Sequence, residues 1–169
     1  MNPMKEPTQS LSLAEANEVE PCRPGQTLMV VRRVLDCTSR QKTEFVNLTQ
    51  LVEQVIDESG VRDGIALVQS LHSTAAVFVN EWQDALLDDF RSLLEHAVPT
   101  DTPWRHNDPR YSDCERGNAA SHLRTLLLGT SALLAVRGGR IVRGEWQSII
   151  LAELDGPRTR CVLLQVFGT

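Results

Sequence analysis

The chain has 169 residues, 41% of them hydrophobic and 23% charged, which suits one globular domain with a core of its own. Its net charge of −5 argues against the basic face that nucleic-acid binding demands. No apolar run approaches the ~20 residues needed to cross a bilayer, which argues against a membrane protein.

Residues 1–26 are rich in Pro, Glu, Ser, Asn and Gln and lack aromatics, so they are expected to form a flexible arm without a signal-peptide core. Cys22, Cys37, Cys114 and Cys161 are widely spread with no C-x-x-C pair, and read as free thiols of a cytoplasmic protein. A single domain is expected over residues 27–169. It opens on the β-branched run "TLMVVRRVLD", and a second short strand, "TEFVNLT", follows a polar turn. In "TQLVEQVIDESG", Leu51, Val52, Val55 and Ile56 form one apolar stripe, with Thr49 as N-cap and Gly60 as the stop.

"GIALVQSL" and "STAAVFVN" read as two strands on either side of His72. "DALLDDFRSLLEHAVP" predicts a second helix, capped by Asp84 and closed by Pro99. Residues 99–117 lose periodicity, and a loop of that length is functional or mobile. "NAASHLRTLLLG" predicts a third helix. "SALLAVRGGRIVRGEW" is a hairpin about Gly138 and Gly139, and "WQSIILAELDGPRTRCVLLQVFG" is a second, pivoting on Asp155 to Arg158. The order β-β-α-β-β-α-α-β-β-β predicts an α+β fold with a mostly antiparallel sheet.

His72, His106 and His122 are the residues to weigh for chemistry, since three imidazoles and an open water position make a catalytic metal site. Their separations, 34 residues (72 to 106) and 16 (106 to 122), match no local metal motif. Spacing alone therefore favours His72 as a hydrogen-bonded core residue and His106 as a solvent-facing one. His122 falls toward the apolar side of its helix and needs a hydrogen-bond partner there. Glu81 is a possible base or acceptor, or simply an exposed strand end. Arg105, Arg110, Arg116, Arg158 and Arg160 either line an anion site or are solvated charges. Trp146 and Gln147, in "GEWQS", support the core or line a pocket.

Six stretches in one order change the weighting: "SGVRDGIALV", "HSTAAVFVNE", "AVP" before "WRHND", "GNAASHL" before "LLLGTS", "GRIVRGEWQSIIL", and "ELDGPRTR" before "VFG". Together, from about Glu44 to Gly168, they resemble the YjbQ-like family, often named secondary thiamine-phosphate synthase. The resemblance implies a small α+β fold, a homotrimer, and a histidine-lined metal site, zinc by expectation, near subunit contacts. The family histidines of its "HTTAA"-like, "Y-x-H" and "AHL"-like motifs fall on His72, His106 and His122. Its "NE", "WQ" and "DGPR" elements fall on Asn80 and Glu81, on Trp146 and Gln147, and on Asp155 to Arg158. In that reading Glu81 orients an imidazole or acts as base, and Arg158 contacts substrate.

This chain departs from the pattern at Ser73, where Thr is usual, at Trp104, where Tyr is common, at Ala135, where Pro is frequent, and at "RGEWQ" in place of "LGTWQ". The named reaction would join a pyrimidine pyrophosphate to a thiazole phosphate. It calls for a divalent ion and cations around the departing pyrophosphate. The histidines and arginines are there, but no glycine-rich phosphate loop is, so thiamine-phosphate synthesis is expected as a weak side activity. The alternatives are a module that binds a small phosphorylated or anionic molecule without catalysis, its histidines acting as hydrogen-bond donors, and a purely structural trimer.

Overall fold

The computed structural model describes Gly25 and residues 27–169, so the arm expected over residues 1–26 lies outside the described residues apart from Gly25. Among the described residues eight strands and three α-helices follow in order. They are β1 (Met29–Thr38), β2 (Glu44–Asn47), α1 (Thr49–Ser59), β3 (Gly64–Ser70), β4 (Ala75–Glu81), α2 (Asp84–Ala97), α3 (Ala119–Leu128), β5 (Ser131–Arg137), β6 (Arg140–Ile141), β7 (Gln147–Glu153) and β8 (Thr159–Gly168). A single 3₁₀ turn, Arg105–Asn107, interrupts the long loop. Among the described residues no helix is long and apolar enough to cross a membrane.

The strands form two sheets, ordered β1-β8-β3-β5-β6 and β2-β7-β4, and every pair is antiparallel. Between them lies the main core, built from Val68, Val77, Ile149, Leu151, Val162, Leu164 and Val166, with Val52 and Ile56 of α1 packed into it. The other face of the smaller sheet carries a second core, in which Phe45, Ile150, Ala152 and Leu154 meet Leu87 and Leu94 of α2. There Phe45, Phe78 and Phe90 contact one another edge to face, with centroids 5.8–6.3 Å apart. Burial on both faces is why β7 reads as a continuous apolar run, whereas β8, covered on one face, alternates.

The expected α+β class and antiparallel pairing hold, with two corrections. The final segment contributes four strands, because residues 142–146 break the predicted run into a two-residue β6 and β7. And β7 and β8 are not a hairpin: β7 pairs with β2 and β4, β8 with β1 and β3, so residues 154–158 carry the chain from one sheet to the other. Thr49 begins α1 without capping it, since its Oγ1 accepts the Ile149 N–H at 2.9 Å. At α2 the cap is Gln83, whose Oε1 accepts from the Leu86 N–H at 2.7 Å, and not Asp84.

The topology has one consequence for function. Three of the chain's crossings between the sheets, at residues 39–43, 71–74 and 154–158, meet at one corner. Gly156 N–H donates to Lys42 O at 2.9 Å, Ser39 N–H to Arg158 O at 2.9 Å, Leu154 N–H to Thr74 O at 3.2 Å, and Leu71 N–H to Cys161 O at 3.0 Å.

Candidate functional site

The corner is held from inside by a buried ion pair. Arg160 donates from Nε to Glu153 Oε2 at 2.6 Å and from Nη2 to Glu153 Oε1 at 2.5 Å, in the bidentate geometry that suits guanidinium and carboxylate. Glu153 is fully buried and Arg160 only 3% exposed. The carboxylate also accepts from the Ser39 hydroxyl at 3.3 Å and the Asp155 N–H at 2.7 Å, and Arg160 Nη2 reaches Thr74 Oγ1 at 3.0 Å. Arg160 Nη1 makes no hydrogen bond among the described residues. Since no buried side-chain nitrogen or oxygen there lacks a partner, Nη1 is the edge of Arg160 that opens onto the adjoining cleft.

That cleft has a volume of about 330 Å³, and His72, Arg116, Asn118, His122, Arg158 and Arg160 line it beside Asp155. Asp155 gathers the arginines at its mouth: Arg158 Nη2 lies 3.1 Å from Oδ2 and Arg116 Nη1 3.5 Å. Asn118, at the start of α3, spends its side chain on Asp155, at 3.0 Å, instead of capping the helix. Ser121 Oγ donates to Leu154 O at 2.6 Å, and together these bonds fix α3 against the crossing.

His72 sits in the second crossing, where Ser70 Oγ accepts from its backbone N–H at 3.3 Å. Its ring Nε2 accepts the Cys161 N–H at 2.9 Å. A neutral imidazole that accepts at Nε2 carries its proton on Nδ1, so His72 offers the cleft a donor. Burial pushes its pKa below the ordinary imidazole value and the Arg160 guanidinium adds to this, while Glu153 opposes both. His122 is lowered too, first by burial, then by the His106 imidazole, with Asp155 opposing. The His106 and His122 rings meet edge to face, centroids 5.0 Å apart, and the Ser112 hydroxyl lies 3.4 Å from His106 Nδ1.

These shifts set a pH dependence. Below about pH 6.5 the unfolded chain protonates its histidines while the folded one holds His72 and His122 neutral, so the unfolded state binds more protons. Their effect on stability is therefore constant above that pH and turns against the fold as pH falls from 6.5 through the lowered folded values. Urea midpoints measured from pH 5 to 8 are expected to drop more steeply for the wild type than for His72→Gln/His122→Gln. Parallel curves would show that these imidazoles do not titrate differently on folding.

The three histidines therefore border one region, with His122 between the other two, but the donor set does not build a three-imidazole metal centre within one chain. Among the described residues no group of three or more His, Cys, Asp or Glu side chains could hold one ion. With Nε2 engaged by an amide and Nδ1 protonated, His72 has no lone pair left for a metal. The remaining expected residues lie elsewhere. Glu81 pairs with Gln147 and Asn80 with Ser148, whereas the corner end of the same ladder is Ala75 opposite Glu153. Six residues of strand put Glu81 ~20 Å from the corner, so it cannot orient His72 within the chain. Trp146 is exposed, and Gln147 Oε1 accepts the Gly144 N–H at 2.8 Å, closing the turn before β7.

Sequence reasoning missed Glu153. The signal was present, because a carboxylate at the end of "SIILAE", in a strand apolar on both faces, requires a buried cation.

A family model described as UPF0047 protein YjbQ-like matches residues 33–169. A UPF0047 protein of Methanothermobacter thermautotrophicus is 41% identical over 144 residues, covering 85% of this chain and 96% of its own. The UPF0047 protein YugU of Bacillus subtilis is 31% identical over 136 residues, covering 80% and 98%. Among solved structures, a YbjQ-like protein of unknown function from Sulfolobus solfataricus superposes with a TM-score of 0.79 at 34% identity, covering 85% of this chain and all of that one. A member of the yjbq/upf0047 family from Clostridium acetobutylicum gives 0.72 at 29% identity, covering 79% and 98%.

Proposed function

The chain belongs to the YjbQ-like UPF0047 family, and we propose that the corner cleft of this member binds a small oxyanion, a phosphate ester or a related acid. The observation that carries this reading is Arg160, a guanidinium 97% removed from solvent whose one unpaired edge opens onto the cleft. A buried cation is costly unless satisfied, and Glu153 and Thr74 satisfy all of it except that edge. Around it stand the His72 Nδ1–H, Arg116, Arg158 and the first turn of α3, whose dipole favours negative charge. The same groups would stabilise a departing pyrophosphate, so the thiamine-phosphate coupling is a reaction to assay in this cleft.

Thermal unfolding of the chelator-treated protein with inorganic phosphate tests the reading. At a hundredfold excess over Kd, binding adds about 2.7 kcal/mol, ~5–10 °C at this chain length. Arg116→Ser/Arg158→Ser is expected to weaken the response at least tenfold. No response to phosphate would end the oxyanion reading, and stabilisation that appears only with added zinc would put a metal in its place.

A homotrimer is proposed alongside. It is supported by Leu126, Leu127 and Leu133, which flank the turn from α3 to β5 and are 78%, 61% and 66% exposed. Sedimentation equilibrium is expected to give three times the chain mass, and a monomer at micromolar concentration would refute it.

A further inference from the structure

Asp155 sets a carboxylate into the lining of a cleft that is otherwise rich in cations. A bare carboxylate there repels any anion that enters. Nor can it swing aside. Its Oδ2 accepts the Asn118 amide at 3.0 Å, with Arg158 Nη2 at 3.1 Å and Arg116 Nη1 at 3.5 Å on the same atom. The Asn118 amide is itself oriented, because its Oδ1 takes the Cys114 S–H, with Sγ 3.4 Å away. Behind the carboxylate, the Asp155 N–H donates to Glu153 Oε1 at 2.7 Å, and Arg158 Nε donates to the Asp155 carbonyl at 2.9 Å. All of these bonds end on Oδ2 or on the backbone. Oδ1 makes no hydrogen bond among the described residues. Since no buried side-chain oxygen there lacks a partner, Oδ1 is the edge of Asp155 that opens onto the cleft.

The cleft therefore sets the donors Arg160 Nη1 and His72 Nδ1–H against one fixed acceptor, Asp155 Oδ1. The geometry points to Asp155 as the residue that sets the specificity of the cleft, admitting oxyanions that keep a proton and refusing those that have lost all of theirs. A proton-bearing oxyanion lays its charged oxygens against the donors and gives its O–H to Oδ1. A fully ionised one has no hydrogen to give, and its lone pairs meet those of the carboxylate across the cleft. Hydrogen phosphate and hydrogen carbonate belong to the first class, and sulfate belongs to the second. This deepens the oxyanion reading and rests on it.

Calorimetric titration of the full chain at neutral pH with inorganic phosphate and with sulfate provides the test. The two ions match in shape, and doubly ionised phosphate matches sulfate in charge, so the proton that phosphate keeps is what separates them. Phosphate is expected to bind at least about a hundredfold tighter, because an acceptor left without its hydrogen is costly and like charges add to that cost. Asp155→Asn, or Asp155→Ser should the first variant fold poorly, is expected to narrow the gap to about tenfold or less, chiefly by gaining sulfate binding. Sulfate binding as tight as phosphate in the wild type would overturn the selection and leave the oxyanion site standing. A preference that survives both substitutions undiminished would take the selection away from Asp155 and overturn it equally. Failure of both ions to bind the wild type would remove the two readings together.

Discussion

An Arg160→Met variant is expected to lose about 3–5 kcal/mol of unfolding free energy, a fall of ~6–20 °C in Tm at this chain length. The size follows from burial. Glu153 is inaccessible to solvent, and two of its four hydrogen bonds come from Arg160. Removing the guanidinium leaves a carboxylate in the interior with only the Ser39 hydroxyl and the Asp155 N–H for partners. Exposed pairs such as Arg91 with Asp88 cost far less to break, because water replaces the lost partner.

The same variant is expected to lose phosphate binding. A double variant separates the two effects: Glu153→Leu/Arg160→Met removes both charges and should regain most of the stability while still failing to bind phosphate. Urea unfolding and phosphate titration of the single and double variants provide the measurements. A single variant within 1 kcal/mol of the wild type would mean that the corner is not held by this pair.

Much of the fold was legible in the sequence because the patterns report burial directly. The stripe on α1, the alternation of β8 and the unbroken apolar run of β7 each record how many faces of the element are covered. What the patterns do not record is which strand pairs with which. Asp155, Gly156 and Pro157 are turn residues in either case, whether the chain folds back on itself or turns a corner into the other sheet. The second hairpin was therefore read where the structure has a crossing.

The site was half legible for the same reason. His72, Arg158 and His122 stood out as residue types, but they come from a crossing, another crossing and a helix, and only tertiary packing brings them together. The expectation that Glu81 joins them failed on length, since β4 runs away from the corner for its whole course. The cap expected at Thr49 failed because a longer-range partner, the Ile149 N–H, recruited its side chain first.

Gly156→Ala is the second substitution with a large expected effect, and it tests whether the three crossings act as one unit. A Cβ at this position would lie 2.3 Å from Gln41 O, 2.7 Å from Ser39 Oγ and 2.8 Å from Glu153 Cγ. The first is backbone of the neighbouring crossing and the other two belong to the ion-pair network, so none can swing aside. Accommodating one methyl group requires residues 39–43 to move away, which strains the Gly156 N–H bond to Lys42 O and the Ser39 N–H bond to Arg158 O. Overpacking of this kind costs about 1–3 kcal/mol, and the strained bonds bring the total to ~2–5 kcal/mol.

Because Ser39 also holds Glu153, and Glu153 holds Arg160, phosphate affinity is expected to fall with stability even though Gly156 lies outside the cleft lining. Gly144→Ala is the matched control: its Cβ would meet nothing closer than Gln147 Oε1 at 3.5 Å, an ordinary contact. The control should stay within about 1 kcal/mol of the wild type and keep full phosphate binding. If Gly156→Ala lost stability but bound phosphate normally, the crossing at residues 39–43 would be scaffold alone. Loss of both ties the binding edge of Arg160 to the meeting of the three crossings.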